Sequence, residues 1–129
     1  MRIGVVGSRT LCDYEWFANQ MDNLVGHSKT PIQFVSGGAD GPDTMIERYA
    51  RERGHPDVCV HTPNWNQEGW RAGFNRNSDI VADCDAVIAF WDERSAGTRD
   101  TINKCRRAFV PVLVITFNPN QETNELLFE

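Results

Sequence analysis

Missing from this 129-residue sequence is any C-x-x-C pair, since its four cysteines, Cys12, Cys59, Cys84 and Cys105, lie far apart. Neither a zinc site nor a redox motif is written here, and the expectation is reduced, buried thiols and no metal. No apolar run approaches the ~20 residues of a membrane span, and no hydrophobic leader precedes the first strand. A reducing, cytoplasmic setting without a membrane partner follows as an expectation. Basic excess is also absent: 13 Lys and Arg stand against 18 Asp and Glu, for a formal charge of −5. A polyanion gains no long-range attraction from such a chain, so any basic nucleic-acid patch must be local. There is no G-x-x-x-x-G-K-[ST] loop, no G-x-G-x-x-G fingerprint and no Ser-His-Asp order. The three histidines, His27, His55 and His61, fall on predicted helix or strand edges and receive no catalytic role.

What is present fills a core. A hydrophobic content of 40%, with seven Phe and four Trp, suits one domain. Residues 1–7 form a brief β-branched run, read as a central buried strand. From Asp13, the residues Tyr14, Phe17, Ala18, Met21, Leu24 and Val25 recur at helical spacing. Residues 31–36 read as a second strand, and a second helix packs through Met45, Ile46, Tyr49 and Ala50 before stopping at Gly54. A third strand is expected at 57–61, a long loop from Thr62 to Gly73, and a short helix carrying Ile80 and Val81. Residues 85–91 form the clearest buried strand. A helix with Ile102, Cys105 and Phe109 inward follows, then a fifth strand at 110–116 and a tail over 117–129. Strands alternating with helices at this spacing predict a single α/β three-layer domain over 1–116, built on a mostly parallel five-stranded sheet in the order 3-2-1-4-5.

The turns sort by which end of the sheet they occupy. Those leading from helix to strand are short and chemically plain. Those leading from strand to helix hold Gly7-Ser8-Arg9, Ser36-Gly37-Gly38-Ala39-Asp40-Gly41, the Trp65–Asn77 segment and Ser95-Ala96-Gly97-Thr98. All of these fall at the carboxyl ends of the strands, where ligands of open α/β sheets bind. In the 3-2-1-4-5 order the first and fourth strands are neighbours, so Ser8 and Arg9 are expected to face Ser95, Gly97 and Thr98 across one crevice. Glycines at 37, 38 and 41 allow close backbone approach, and helix starts add amide donors and positive dipole ends, which suits a phosphate. Arg9 and Arg76 offer guanidinium forks for the same anion. Asp43 is expected to cap a helix opening at Thr44. Asp40, Asp43 and Asp92 either receive ribose hydroxyls or cap turns, and Trp65 and Trp70 either cover the core edge or stack on a ligand.

The set Val6-Gly7-Ser8-Arg9-Thr10, Ser36-Gly37-Gly38-Ala39-Asp40-Gly41-Pro42-Asp43, Arg76-Asn77, Ala89-Phe90-Trp91-Asp92 and Ser95-Ala96-Gly97-Thr98 resembles the SLOG superfamily, especially its small YspA-like branch. The resemblance spans about residues 1–116. It implies a Rossmann-like domain that binds a nucleotide or nucleotide-derived small molecule, of ADP-ribose or nucleoside-monophosphate type, through Gly7, Ser8, Arg9, Ser36, Gly37, Gly38, Asp40, Gly41, Asp43, Arg76, Asn77, Ser95, Gly97 and Thr98. The superfamily includes ligand sensors, the Lonely Guy phosphoribohydrolases and the Rossmann-like core of DNA-processing protein A. The Lonely Guy motif P-G-G-x-G-T-x-x-E ends in a catalytic Glu, and here Thr101 holds that place with Asp100 one residue early. If the chain is a sensor that also cleaves an N-glycosidic bond, Asp40 or Asp92 must supply the carboxylate. The alternative is a single-stranded nucleic-acid-binding module with base stacking on Trp65 and Trp70, like the DNA-processing core. A second alternative is an assembly protein with a vestigial crevice. No cofactor is expected, and a homo-oligomer is left open.

Overall fold

The computed structural model describes residues 1–119, and the tail expected over 117–129 lies for the most part outside the described residues. Five parallel strands form one sheet: β1 (Arg2–Gly7), β2 (Gln33–Ser36), β3 (Cys59–Val60), β4 (Ala86–Trp91) and β5 (Val112–Thr116). Their order is β3-β2-β1-β4-β5, with Ile3 opposite Phe34 and Val5 opposite Ile88. Successive strand residues point to opposite faces, which divides the core into two. Ile3, Val5, Phe34, Ile88 and Phe90 meet Phe17, Met21, Ile46 and Tyr49 of helices α1 (Tyr14–Val25) and α2 (Pro42–Glu52). Val6, Val35, Val87 and Ala89 meet Ile80, Val81, Ile102 and Cys105 of α4 (Ala72–Asp83) and α5 (Ala96–Arg107). Strands apolar on both faces are what a parallel sheet covered by helices on both sides requires.

The helices start and stop where their residues dictate. Asp13 caps α1 by accepting the N–H of Trp16 at 3.1 Å. Gly54 follows α2 with φ +75, and the N–H of His55 closes back on the carbonyl of Ala50. Three expectations are corrected. Residues 62–73 are largely helical: a short α3 (Trp65–Glu68), capped by Asn64, runs through a 3₁₀ turn (Gly69–Arg71) into α4. The third strand is only two residues long, pairing Cys59 with Val35 and Val60 with Ser36. Phe109 does not face the core but is 92% exposed. It occupies the left-handed position after α5, φ +57, where the N–H of Val110 reaches the carbonyl of Cys105 and that of Phe109 reaches Arg106. Closing the helix in this way turns the ring out to solvent. Phe117 packs against Trp16, with ring centroids 6.2 Å apart, so the ordered core reaches at least that far. No helix among the described residues is long and apolar enough to cross a membrane.

Candidate functional site

At the carboxyl ends of β1, β2 and β4 lies a cavity of about 260 Å³. Gly7, Arg9, Asp43, Arg76, Asn77, Ser95, Gly97 and Thr98 line it, joined by Val6, Ala39 and Thr101. Eight residues picked from the sequence therefore converge on one space. Ser8 stands behind them, 1% exposed, with Oγ 3.5 Å from Thr98 Oγ1. The β1 and β4 turns thus meet as the strand order requires. Ser36 is buried and its Oγ has no partner among the described residues. Gly38 and Asp40 are exposed and Gly41 is half-buried; none of the three borders the cavity. Trp65 and Trp70, 55% and 73% exposed, lie outside it as well.

The glycine-rich turn is held by Asp43, and not in the way the sequence suggests. α2 begins at Pro42 with Gly41 as its cap residue, so Asp43 sits inside the first turn and does not cap a helix opening at Thr44. Proline takes the first helical position, where a missing N–H costs nothing. This frees the Asp43 carboxylate to reach back and accept the N–H of Gly37 at 2.9 Å. Burial pushes its pKa up to about 6, against the pull of the Gly37 amide, the Arg76 guanidinium and the amides of Ala39 and Gly7.

Arg76 enters from α4. Its Nη1 donates to the carbonyl of Gly37 at 2.5 Å and its Nε to Asn77 Oδ1 at 3.0 Å. Burial lowers its pKa, Asp43 opposes that shift, and Arg9 adds to it. Two guanidinium groups thus feel each other across the cavity, while Arg9 makes no hydrogen bond or ion pair among the described residues. Asp43 borders the same cavity and offsets part of this charge, but its carboxylate is spent on the Gly37 amide, so two guanidinium groups facing one cavity leave the site ready for an anion.

The third wall is the start of α5. Ser95 caps it by accepting the N–H of Thr98, and Asp92 accepts the N–H groups of Arg94 and Ser95 at 2.9 and 2.8 Å. Asp92 also receives the hydroxyls of Ser8 and Thr10, at 3.1 and 2.9 Å. Its burial raises the pKa, but these donors outweigh burial and hold it below the usual carboxylate value. The carboxylate is therefore occupied in shaping the loop. Asn77 joins α4 to α5 by donating to Gly97 O at 3.2 Å and Asp100 Oδ2 at 3.1 Å. Asp100 pairs with Lys104 at 2.8 Å, turned aside from the cavity, while Thr101 borders it. Ala39 and Thr101, both within the motifs compared above, were not counted among the expected binding residues; helical spacing from Thr98 would have added Thr101.

The strand order and the crevice at the β1/β4 switch point define a Rossmann-like α/β domain. The solved structure of DNA processing protein A from Helicobacter pylori, which describes that protein's single-stranded DNA binding mode, matches the fold with a TM-score of 0.68 over 98% of this chain and 72% of that one, at 15% identity. In sequence, the chain is 31% identical over 117 residues to the gene 61 protein of Mycobacterium phage D29, covering 87% of this chain and 94% of that protein, and it belongs to the family of that protein. No family model matches the chain.

Proposed function

We propose that the crevice binds single-stranded nucleic acid, holding a backbone phosphate between Arg9, Arg76 and the start of α5. The observation that carries this reading is the pair of guanidinium groups, Arg9 and Arg76, converging on one cavity with no carboxylate salt bridge to either among the described residues. A volume of about 260 Å³ suits a phosphate and part of a sugar rather than a whole dinucleotide. The backbone then continues past the exposed Trp65 and Trp70, on which bases stack. The fold shared with a single-stranded DNA-binding protein supports the same reading. Membership in the SLOG superfamily, which rests on the G-S-R, S-G-G-A-D-G-P-D and S-A-G-T motifs, belongs to it.

One observation favours a second reading. A net charge of −5 opposes a long polyanion far more than a single phosphomonoester, which points to a nucleotide-derived small molecule in the same cavity. Fluorescence anisotropy of a labelled oligothymidylate lacking a terminal phosphate separates the two. For a strand contacting two arginines, log affinity falls against log salt with a slope of about −1.4, and of about −0.7 in Arg9→Ala or Arg76→Ala. An affinity that is flat in salt, or equal in wild type and both variants, overturns the strand reading. Thermal stabilisation by AMP or ADP-ribose that disappears in Arg9→Ala, with no oligonucleotide binding, establishes the small-molecule reading instead.

A further inference from the structure

We propose that Cys59, His61 and Asp83 form a binding site for a divalent cation of zinc type, separate from the crevice. The Sγ of Cys59, a ring nitrogen of His61 and a carboxylate oxygen of Asp83 all lie within 4.8 Å of one another. His61 Nε2 is 2.8 Å from Asp83 Oδ2, and Cys59 Sγ is 3.9 Å from the same oxygen. Tetrahedral zinc with sulfur, nitrogen and oxygen ligands at 2.0–2.3 Å sets its ligand atoms about 3.3–3.8 Å apart. Small rotations of His61 and Cys59 therefore suffice to make the three coordinate one ion, and one position is left for water.

The fold explains why these three residues meet. Cys59 and His61 are separated by one residue at the end of β3, and alternation along an extended chain puts both on the same side. Asp83 is the last residue of α4, where the carbonyl end of the helix carries partial negative charge and favours a cation. Arg2, at the start of β1, holds the carboxylate in place, with Nε on Asp83 Oδ1 at 3.0 Å and Nη2 on Oδ2 at 2.7 Å. The guanidinium grips both carboxylate oxygens and so fixes the orientation of the group, and an ion at Oδ2 shares that oxygen with Nη2. The three groups are all half-buried, so an ion can reach them from solvent. A thiolate, an imidazole and a carboxylate together select zinc or cobalt over magnesium or calcium, which take oxygen ligands alone.

Titration with Co²⁺ followed by optical absorption tests the site, because a cysteine ligand gives a thiolate-to-cobalt charge-transfer band. The expected result is one equivalent bound with that band, displaced by Zn²⁺. The band disappears in Cys59→Ser and persists in Cys12→Ser, which removes the exposed thiol instead. His61→Ala weakens binding at least tenfold. Circular dichroism of the metal-free variants establishes that they are folded; Asp83 is left unaltered because it also ties Arg2. Absence of the band, its survival in Cys59→Ser, or unchanged affinity in His61→Ala overturns the proposal and leaves the cluster as a tie between β1, β3 and α4.

Discussion

Asp43 accepts the backbone N–H of Gly37 at 2.9 Å from six residues further along the chain, and this bond closes the glycine-rich turn around the cavity. The same carboxyl is among the most buried ionisable groups of the domain and has its pKa raised from 3.8 to about 6. Between those values the folded state keeps a proton that the unfolded chain has released. Asp43 therefore contributes its full share of stability below about pH 4, and that share is lost as pH rises through 6, by roughly 3 kcal/mol. Urea unfolding at several pH values from 4 to 7 checks the expectation, with the decline absent in Asp43→Asn. Equal pH profiles for wild type and variant would refute it. The same proton matters for binding: an oligonucleotide phosphate lies beside a neutral Asp43 more readily than beside an ionised one, so affinity is expected to fall above pH 6.

Gly37 and Gly7 are both small for steric reasons, but the atoms they make room for differ in mobility. A Cβ at Gly37 would lie 2.5 Å from Arg76 Nη1 and 2.8 Å from its Cδ, atoms of a flexible side chain. A Cβ at Gly7 would lie 2.5 Å from the carbonyl oxygen of Phe90 and 2.6 Å from Pro42 Cγ, which cannot yield without moving β4 or α2. Gly37→Ala is thus expected to leave stability within about 1 kcal/mol while displacing Arg76, so oligonucleotide binding drops as far as in Arg76→Ala. Gly7→Ala is expected to cost about 2–3 kcal/mol of stability. Denaturant melts paired with anisotropy separate the two outcomes, and equal stability losses would contradict the assignment.

Trp70 is 73% exposed, with the Arg71 guanidinium 5.1 Å from its ring centroid. A ring so placed contributes little to folding, and Trp70→Ala is expected to shift unfolding by no more than about 0.5 kcal/mol. If a base stacks on it, the same substitution weakens oligonucleotide binding by about 1–3 kcal/mol. Trp65 differs, because its ring edge lies 3.5 Å from where a Cβ at Gly73 would sit, against the start of α4. Trp65→Ala is therefore expected to lower stability as well as affinity. Tryptophan fluorescence of each single variant during titration with the oligonucleotide reads the stacking directly; no quenching in either removes these rings from the binding surface.

Much of this arrangement was legible in the residues because it follows from local periodicity and from topology. The runs Ile3 to Val6 and Ala86 to Trp91 are apolar on both faces, which only a central parallel strand explains, and the strand order then brings Ser8 within 3.5 Å of Thr98. What escaped depends on contacts distant in sequence or on backbone geometry that side-chain patterns do not carry. Asp43 looked like a helix cap because Asp commonly is one, but Pro42 starts the helix two residues earlier and hands Asp43 to Gly37. Phe109 fits the inward helical spacing, yet the closing turn of α5 places it at a left-handed position. Cys59, His61 and Asp83 carry no motif spacing, and only the folded chain brings the last residue of α4 to the two side chains at the end of β3.

Asp92 does not line the cavity but bonds the Ser8 and Ser95 turns beside it, and it tests whether such a carboxylate shapes the site or reacts in it. Its two oxygens receive four donors, the N–H groups of Arg94 and Ser95 and the hydroxyls of Ser8 and Thr10. Ser8 Oγ in turn accepts the N–H of Asp92 at 3.0 Å, so the β1 and β4 turns are latched in both directions. Desolvation works against the ionised form, but the donors prevail and the pKa is lowered. The sign is opposite to that of Asp43: Asp92 adds stability above about pH 4, and the contribution is lost as pH falls below that. Asp92→Ala strands several donors at once and is expected to cost about 2–4 kcal/mol, at roughly 1–3 kcal/mol for each that stays buried. Asp92→Asn keeps an acceptor for part of the set and is expected to cost less. Any loss of binding in these variants should track the loss of order at the start of α5, measured by amide exchange of Thr98 and Arg99. An Asp92→Ala protein with native stability and native exchange at those amides would show that the loop does not depend on this carboxylate, and would free it for chemistry.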